Sequence, residues 1–126
     1  LDSKFVPALR QRAKIYTTRG NLAGALADYS EAIRLQPETA ALWSDRGEVD
    51  LGLHEYGNAI EDEARAIQLD PKLASAYYLR NVAFANSGDR AKAVTDLHTA
   101  VDLDPSLATY VTIKRKTVVL ELPPPL

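Results

Sequence analysis

The sequence predicts an all-α repeat fold, on three observations. The run Ala32-Ile33-Arg34-Leu35-Gln36-Pro37 returns as Ala66-Ile67-Gln68-Leu69-Asp70-Pro71 and as Ala100-Val101-Asp102-Leu103-Asp104-Pro105, 34 residues apart each time. The same register holds small residues (Ala25, Ala59, Ala93), acids (Asp28, Asp62, Asp96), cations (Arg12, Arg46, Arg80) and bulky side chains (Leu9, Trp43, Tyr77). Within each copy apolar residues recur at helical spacing, with Gly, Asn or Pro closing the runs. A fixed period of this length marks a repeat protein, in which each unit buries its apolar face against the next.

Bulk properties agree with one such domain. The chain has 126 residues, 46% of them hydrophobic, enough for a continuous though thin core. It lacks cysteine, which excludes disulfide frameworks, thiolate zinc sites and cysteine nucleophiles. No signal-peptide pattern and no long apolar run argues for membrane insertion. The chain opens at Leu1 rather than Met, as a processed or excised piece of a longer protein would. Its net charge of -2 is unevenly spread. Lys4, Arg10, Arg12, Lys14 and Arg19 face only Asp2 in the first 20 residues, whereas residues 40–71 set Arg46 and Arg65 against eight acids. An acidic middle between basic ends is not a nucleic-acid tract.

The elements follow in order. Pro7 suits a first helical turn, where its missing N–H leaves no bond unmade, and Leu9, Ala13 and Tyr16 carry a helix over about 7–18 until Gly20-Asn21. Asn21 caps the next helix, whose Leu22, Ala25, Leu26, Tyr29, Ala32, Ile33 and Leu35 form a stripe wide enough for burial on two sides. Pro37 ends it by pushing the preceding residue out of the helical region. The second pair is expected at about 40–52 and 55–69, with Gly52-Leu53-His54 in the turn. The third is expected at about 74–86 and 89–103, with Ser87-Gly88 in its turn and Asp89 as cap. The repeats are thus about 6–39, 40–73 and 74–107. The recurring alanines let backbones approach closely, so a larger residue there would overpack.

These residues resemble the tetratricopeptide repeat, whose signature is W-x2-L-G-x2-Y, then A-x3-F, then P. The second copy supplies Trp43, Gly47, Ala59 and Pro71; the first supplies Leu9, Ala13, Tyr16, Ala25, Tyr29 and Pro37; the third supplies Tyr77, Phe84, Ala93, Leu97 and Pro105. The resemblance implies a right-handed α-solenoid of three antiparallel helix pairs closed by a capping helix, with an inner groove that binds a peptide or partner protein. By the family's geometry the groove would be lined by Arg10, Gln11 and Lys14, then Ser44, Asp45 and Glu48, then Ser75, Tyr78, Leu79 and Val82, and lastly Thr112. Family members that clamp the C-terminal carboxylate of chaperones carry Lys and Asn at the first of these places, Asn at the next, and Lys with Arg at the third. Arg10 and Lys14 fit that pattern in part, whereas Asp45, Ser75 and Leu79 do not, so a chaperone-tail clamp is not expected.

Departures from the family pattern carry their own expectations. Arg12, Arg46 and Arg80 stand where the signature asks for Leu, and each is followed 16 residues later by Asp28, Asp62 or Asp96. Antiparallel helices bring such residues together, so a charge-assisted contact of structural rather than catalytic role is expected in every repeat. Asp50 and Glu63 replace aromatics, and Asn81 replaces a small residue. These substitutions predict looser packing in the middle of the stack.

After Pro105 the register continues through Val111 and Val118, which predicts a capping helix over about 106–120, although its many β-branched residues favour a strand on their own. On such a helix Tyr110, Ile113, Val119 and Leu120 would remain uncovered, and a two-fold dimer through the helix would bury them. Leu122-Pro123-Pro124-Pro125-Leu126 is expected to run extended and to lie against protein, with the repeat domain taken as 1–122 and the proline-rich tail as 123–126.

Little else in the chain carries chemistry. His54 and His98 are the only histidines and fall on different repeats. Consecutive Glu61-Asp62-Glu63 point different ways round a helix, whereas a metal needs convergent oxygens. Lys114-Arg115-Lys116 is far short of a nucleic-acid footprint. No phosphate-binding glycine loop or nucleophile elbow occurs. The sequence therefore predicts no enzyme, metal or cofactor but a module that binds protein or peptide. The alternative is a self-associating or spacing element of a larger protein.

Overall fold

The computed structural model describes residues 5–114 and 117–120, with side chains as far as residue 108. Among the described residues six helices form three antiparallel pairs: α1 (Phe5–Thr18) with α2 (Leu22–Leu35), α3 (Ala40–Gly52) with α4 (Tyr56–Leu69), and α5 (Ala74–Asn86) with α6 (Arg90–Leu103). Each pair packs on the next through its second helix, α2 on α3 and α4 on α5. The boundaries fall within two residues of those expected.

Capping chemistry explains the helix starts. Oδ1 of Asn21 accepts from the Gly24 amide at 3.0 Å, and Oδ1 of Asp89 accepts from the Lys92 amide at 3.2 Å. Glu55 holds the same place before α4 and makes no such side-chain bond.

The three turns inside the pairs are one motif. The amides of Asn21, Glu55 and Asp89 reach back to the carbonyls of Tyr16, Asp50 and Phe84 at 2.8, 2.9 and 2.9 Å. That closure needs a left-handed residue just before the donor, which is Gly20 (φ 80°), His54 (φ 61°) or Gly88 (φ 91°). Only His54 carries a Cβ into that conformation, although its Nδ1 lies 2.8 Å from the Tyr56 hydroxyl. His54→Gly is therefore expected to stabilise the fold by about 1 kcal/mol, seen as a higher urea midpoint at unchanged slope. A midpoint at or below the wild-type value would show that the ring contact outweighs the backbone strain.

Turns between the pairs anchor the bulky residues of the register. The Trp43 indole donates to the Pro37 carbonyl at 2.8 Å, and the Tyr77 hydroxyl donates to the Pro71 carbonyl at 3.0 Å. Val6, Ala32, Ile33 and Leu42 form one buried cluster, and Ala13, Ala25, Tyr29 and Val49 a second; both join the first two repeats. Tyr78, Val82, Leu97 and Ala100 form the third cluster, with Leu51 and Leu107 against it. The alanines at 25, 32, 59, 66, 93 and 100 are all essentially inaccessible, as close backbone approach requires.

The predicted ion pairs are present in every repeat. Arg12 meets Asp28 through Nε and Nη2 at 2.7 Å each, Arg46 meets Asp62 at 2.9 and 2.8 Å, and Arg80 meets Asp96 at 2.7 and 2.8 Å. All three are two-pronged, the geometry that suits a planar guanidinium to a carboxylate. Each cation also lies over an aromatic ring, Arg12 on Tyr16, Arg46 on Trp43, and Arg80 on Tyr77 and Phe84. Hydrogen bonding to the paired Asp, in each case the largest influence, raises the pKa of all three guanidinium groups.

The end of the stack departs from expectation. Pro105–Tyr110 is a 3-10 helix packed on α6, with Leu107 against the third cluster, so a short 3-10 segment takes the capping place. No long helix follows: β1 (Val111–Lys114) pairs antiparallel with β2 (Thr117–Leu120), Val111 opposite Leu120 and Ile113 opposite Val118. The β-branched run follows its local preference, because it lacks the wide apolar stripe by which tertiary packing holds α2 in a helix. Tyr110, Ile113, Val119 and Leu120 thus do not share a helix, and the helical argument for a dimer loses its premise. Side chains from residue 109 onward and the proline tail lie outside the described residues.

Candidate functional site

The first helices of the three pairs, α1, α3 and α5, carry the residues expected to line a groove. The structure separates these residues by burial. Gln11, Lys14, Glu48 and Ser75 are exposed, while Arg10, Asp45 and Leu79 are partly exposed. Ser44, Tyr78 and Val82 are buried at 4%, 3% and 8% exposure, the last two inside the third cluster, so they support the surface from beneath. Thr112 lies on β1, beyond the described side chains.

Between α1 and the start of α3 a hollow of about 390 Å³ is lined by Val6, Pro7, Arg10, Gln11, Lys14, Gln36, Thr39 and Leu42. Its floor is apolar and its rim polar, the usual make-up of a binding cleft. One side is closed by a contact absent from the sequence reading, Arg10 Nε donating to Asp45 Oδ2 at 2.7 Å. The two residues are 35 apart, one off the repeat period, so a search in register does not find them. This contact ties α1 to α3 and neutralises the first cation of the expected basic segment.

Electrostatics on α3 are crowded. The Glu48 carboxyl is raised above the ordinary range by desolvation and then by Asp45, against an opposing pull from Lys14. Under this surface the Tyr29 phenol is raised by burial, and further by Asp45 and Glu48. Lys14 therefore looks onto a carboxylate of its own chain, and a ligand anion must compete with Glu48 for it. On the opposite side Arg46, Asp50, Asn58, Glu61 and Asp62 border a hollow of about 260 Å³ with Leu26 and Ser30. There burial, with Asp62 adding to it, pushes the Asp50 carboxyl up to about 7.

Among the described residues no group of His, Asp and Glu is arranged to hold a metal, and no helix is long and apolar enough to cross a membrane. His54 and His98 are both exposed, on separate repeats.

Residues 13–51 match the family model described as TPR repeat. No curated protein sequence matches the chain. Among solved structures, the TPR2B domain of yeast Sti1 in its pHsp70 complex is 28% identical at a TM-score of 0.77, over 82% of this chain and 83% of that one. The Arabidopsis OM64 TPR domain superposes at 0.81 with 23% identity over 82% and 86%. The first TPR of Spaghetti (RPAP3), bound to the HSP90 peptide SRMEEVD, superposes at 0.80 with 22% identity over 83% of both chains. With its 34-residue register and three stacked helix pairs, the chain shares the fold of these TPR domains, an α-solenoid of helix pairs, and within it residues 13–51 match the TPR-repeat model.

Proposed function

We propose that the α1, α3 and α5 face is a protein-interaction surface that takes an extended peptide segment of a partner. The observation that carries this reading is the hollow between α1 and α3, lined by buried Val6 and Leu42 with exposed Pro7 and by the polar Arg10, Gln11 and Lys14. Structural neighbours captured with chaperone peptides support the general mode. The contacts of Arg10 argue against the same ligand here, since its guanidinium is already held by Asp45 and a terminal carboxylate would have to displace that partner. The ligand that fits has an acidic residue for Lys14 and an apolar residue for Leu79, rather than a free carboxylate end.

A peptide-array screen followed by calorimetry tests this. Selected peptides are expected to lose roughly tenfold in affinity on Lys14→Glu, with a weaker salt dependence, and a similar amount on Leu79→Ala. SRMEEVD is expected to bind no better than a scrambled control. An array without sequence preference would favour the spacer reading, and tight SRMEEVD binding would restore the carboxylate clamp.

A further inference from the structure

One side of α1 is uncovered among the described residues, and the register shows what such a side receives elsewhere in the molecule. Ala8 and Ile15 share register positions with Leu42 and Val49 of α3 and with Ala76 and Ala83 of α5. All four of those residues are at 0 or 1% exposure. Leu42 lies in one cluster with Ile33 of α2, and Val49 in another with Tyr29. Ile15 by contrast is 44% exposed, Ala8 is exposed, and Phe5 extends the stripe at 55%. Two hollows of about 400 Å³ flank it, one lined by Phe5, Ala8, Leu9, Arg12, Glu31 and Leu35, the other by Gln11, Lys14, Ile15, Thr18 and Arg19. Single apolar residues on a surface are ordinary, whereas a contiguous stripe beside hollows marks an interaction surface.

The way α2 sits on α3 specifies the occupant. Leu22, Leu26, Tyr29 and Ile33, at spacings of i, i+4, i+7 and i+11, lie in or against the clusters that hold Leu42 and Val49. At i+8 the Ser30 hydroxyl accepts from Arg46 Nη1 at 3.3 Å, while Nε and Nη2 of the same guanidinium hold Asp62. Arg12 makes the same two bonds to Asp28, is 58% exposed, and has no third partner of that kind among the described residues. A helix seated on α1 as α2 is seated on α3 brings its i+8 side chain to Arg12, where a carboxylate binds more strongly than a hydroxyl. A second copy of this chain does not supply that helix. Because α1 carries Arg10, Arg12 and Lys14 and no acid, laying it on itself brings like charges together. On α6 the position in register with Ile33 is Val101, which lies with Leu107 of the 3-10 segment against the third cluster, so that face is already taken.

We propose that the outer face of α1, centred on Ala8 and Ile15, docks an amphipathic helix of a partner protein, with apolar residues at i, i+4, i+7 and i+11 for the stripe and an acidic residue at i+8 for Arg12. This face meets the groove only at Gln11 and Lys14, so the two surfaces can be tested apart.

The probe is a fluorescent peptide with the sequence of residues 21–36, lactam-bridged on its outer side because an isolated helix of that length is marginal in water. A second probe carries Ser30→Glu. Anisotropy titrations with the full chain are expected to show saturable binding, roughly fivefold tighter for the Ser30→Glu peptide at low salt, with the gain shrinking as salt is added. In the protein, Ile15→Glu should weaken both peptides roughly tenfold or more by setting an unpaired charge in the interface, with the urea midpoint of the free chain unchanged. Arg12→Gln should remove the preference for the Ser30→Glu peptide, and Leu79→Ala in the groove should alter neither titration. Absence of binding by either peptide, or binding that survives Ile15→Glu, overturns this docking face. Self-association of the chain that Ile15→Glu abolishes would also overturn it, by assigning the face to a second copy.

Discussion

Leu42→Ala is expected to destabilise the protein by about 2 to 5 kcal/mol, the largest effect of any single truncation at the junction of the first two repeats. Leu42 is fully buried, on the face of α3 that meets Ala32 and Ile33 of α2, with Val6 of α1 completing the cluster. Removing three carbons there costs the transfer free energy of the lost atoms and leaves a cavity that two rigid helices cannot readily close. For a chain of this size the loss corresponds to a melting temperature roughly 10 °C lower. Ile15→Ala, at a position 44% exposed, serves as the control and is expected to stay within about 0.5 kcal/mol of wild type. A Leu42→Ala shift no larger than that control would show that the repeats do not interlock through this side chain.

Asp62→Ala is expected to cost about 1 to 3 kcal/mol, more than an exposed ion pair contributes, because it strands a guanidinium already drawn out of water. The three equivalent pairs should not respond equally. Arg46 and Arg80 are 24% and 22% exposed, whereas Arg12 is 58% exposed. Water therefore solvates Arg12 if its partner is lost, and Asp28→Ala should shift the denaturation midpoint least. Asp62→Ala also removes a carboxylate that helps keep Asp50 protonated, which returns part of the loss above neutral pH. Asp96→Ala lacks that compensation and is expected to be the costliest of the three. Equal midpoint shifts across the series, or none beyond that of Glu38→Ala, would mark the pairs as surface decoration.

Much of this was legible in the chain. The six helix boundaries follow from Asn21, Gly20, Pro37, Asp89 and their register partners, because caps and breakers act through neighbouring backbone. The Arg–Asp pairs were legible because a 16-residue spacing repeated three times fits antiparallel neighbours. His54 was recognisable as a turn residue, but its left-handed backbone shows only beside Gly20 and Gly88 in the folded turns. The same limit hid the Arg10–Asp45 contact, which crosses helices outside the period. It also hid the burial of Ser44, Tyr78 and Val82, which depends on how deeply each helix is sunk between its neighbours.

The two substitutions that look like errors in the repeat, Glu63 and Asn81, could be picked out as departures from pattern. Their burial came from the packing, which brings both to 0% exposure. At the C-terminal end the register pointed to a helix while local propensity pointed to strands, and the hairpin of β1 and β2 followed propensity. The sequence by itself determined the repeat, its helices and its recurring ion pairs, since those depend on periodicity and on contacts at fixed separations along the chain. Only the tertiary structure decided which polar groups are sealed from water, which cations are compensated and how the stack ends, because desolvation and non-local pairing are properties of the assembled neighbours rather than of any segment.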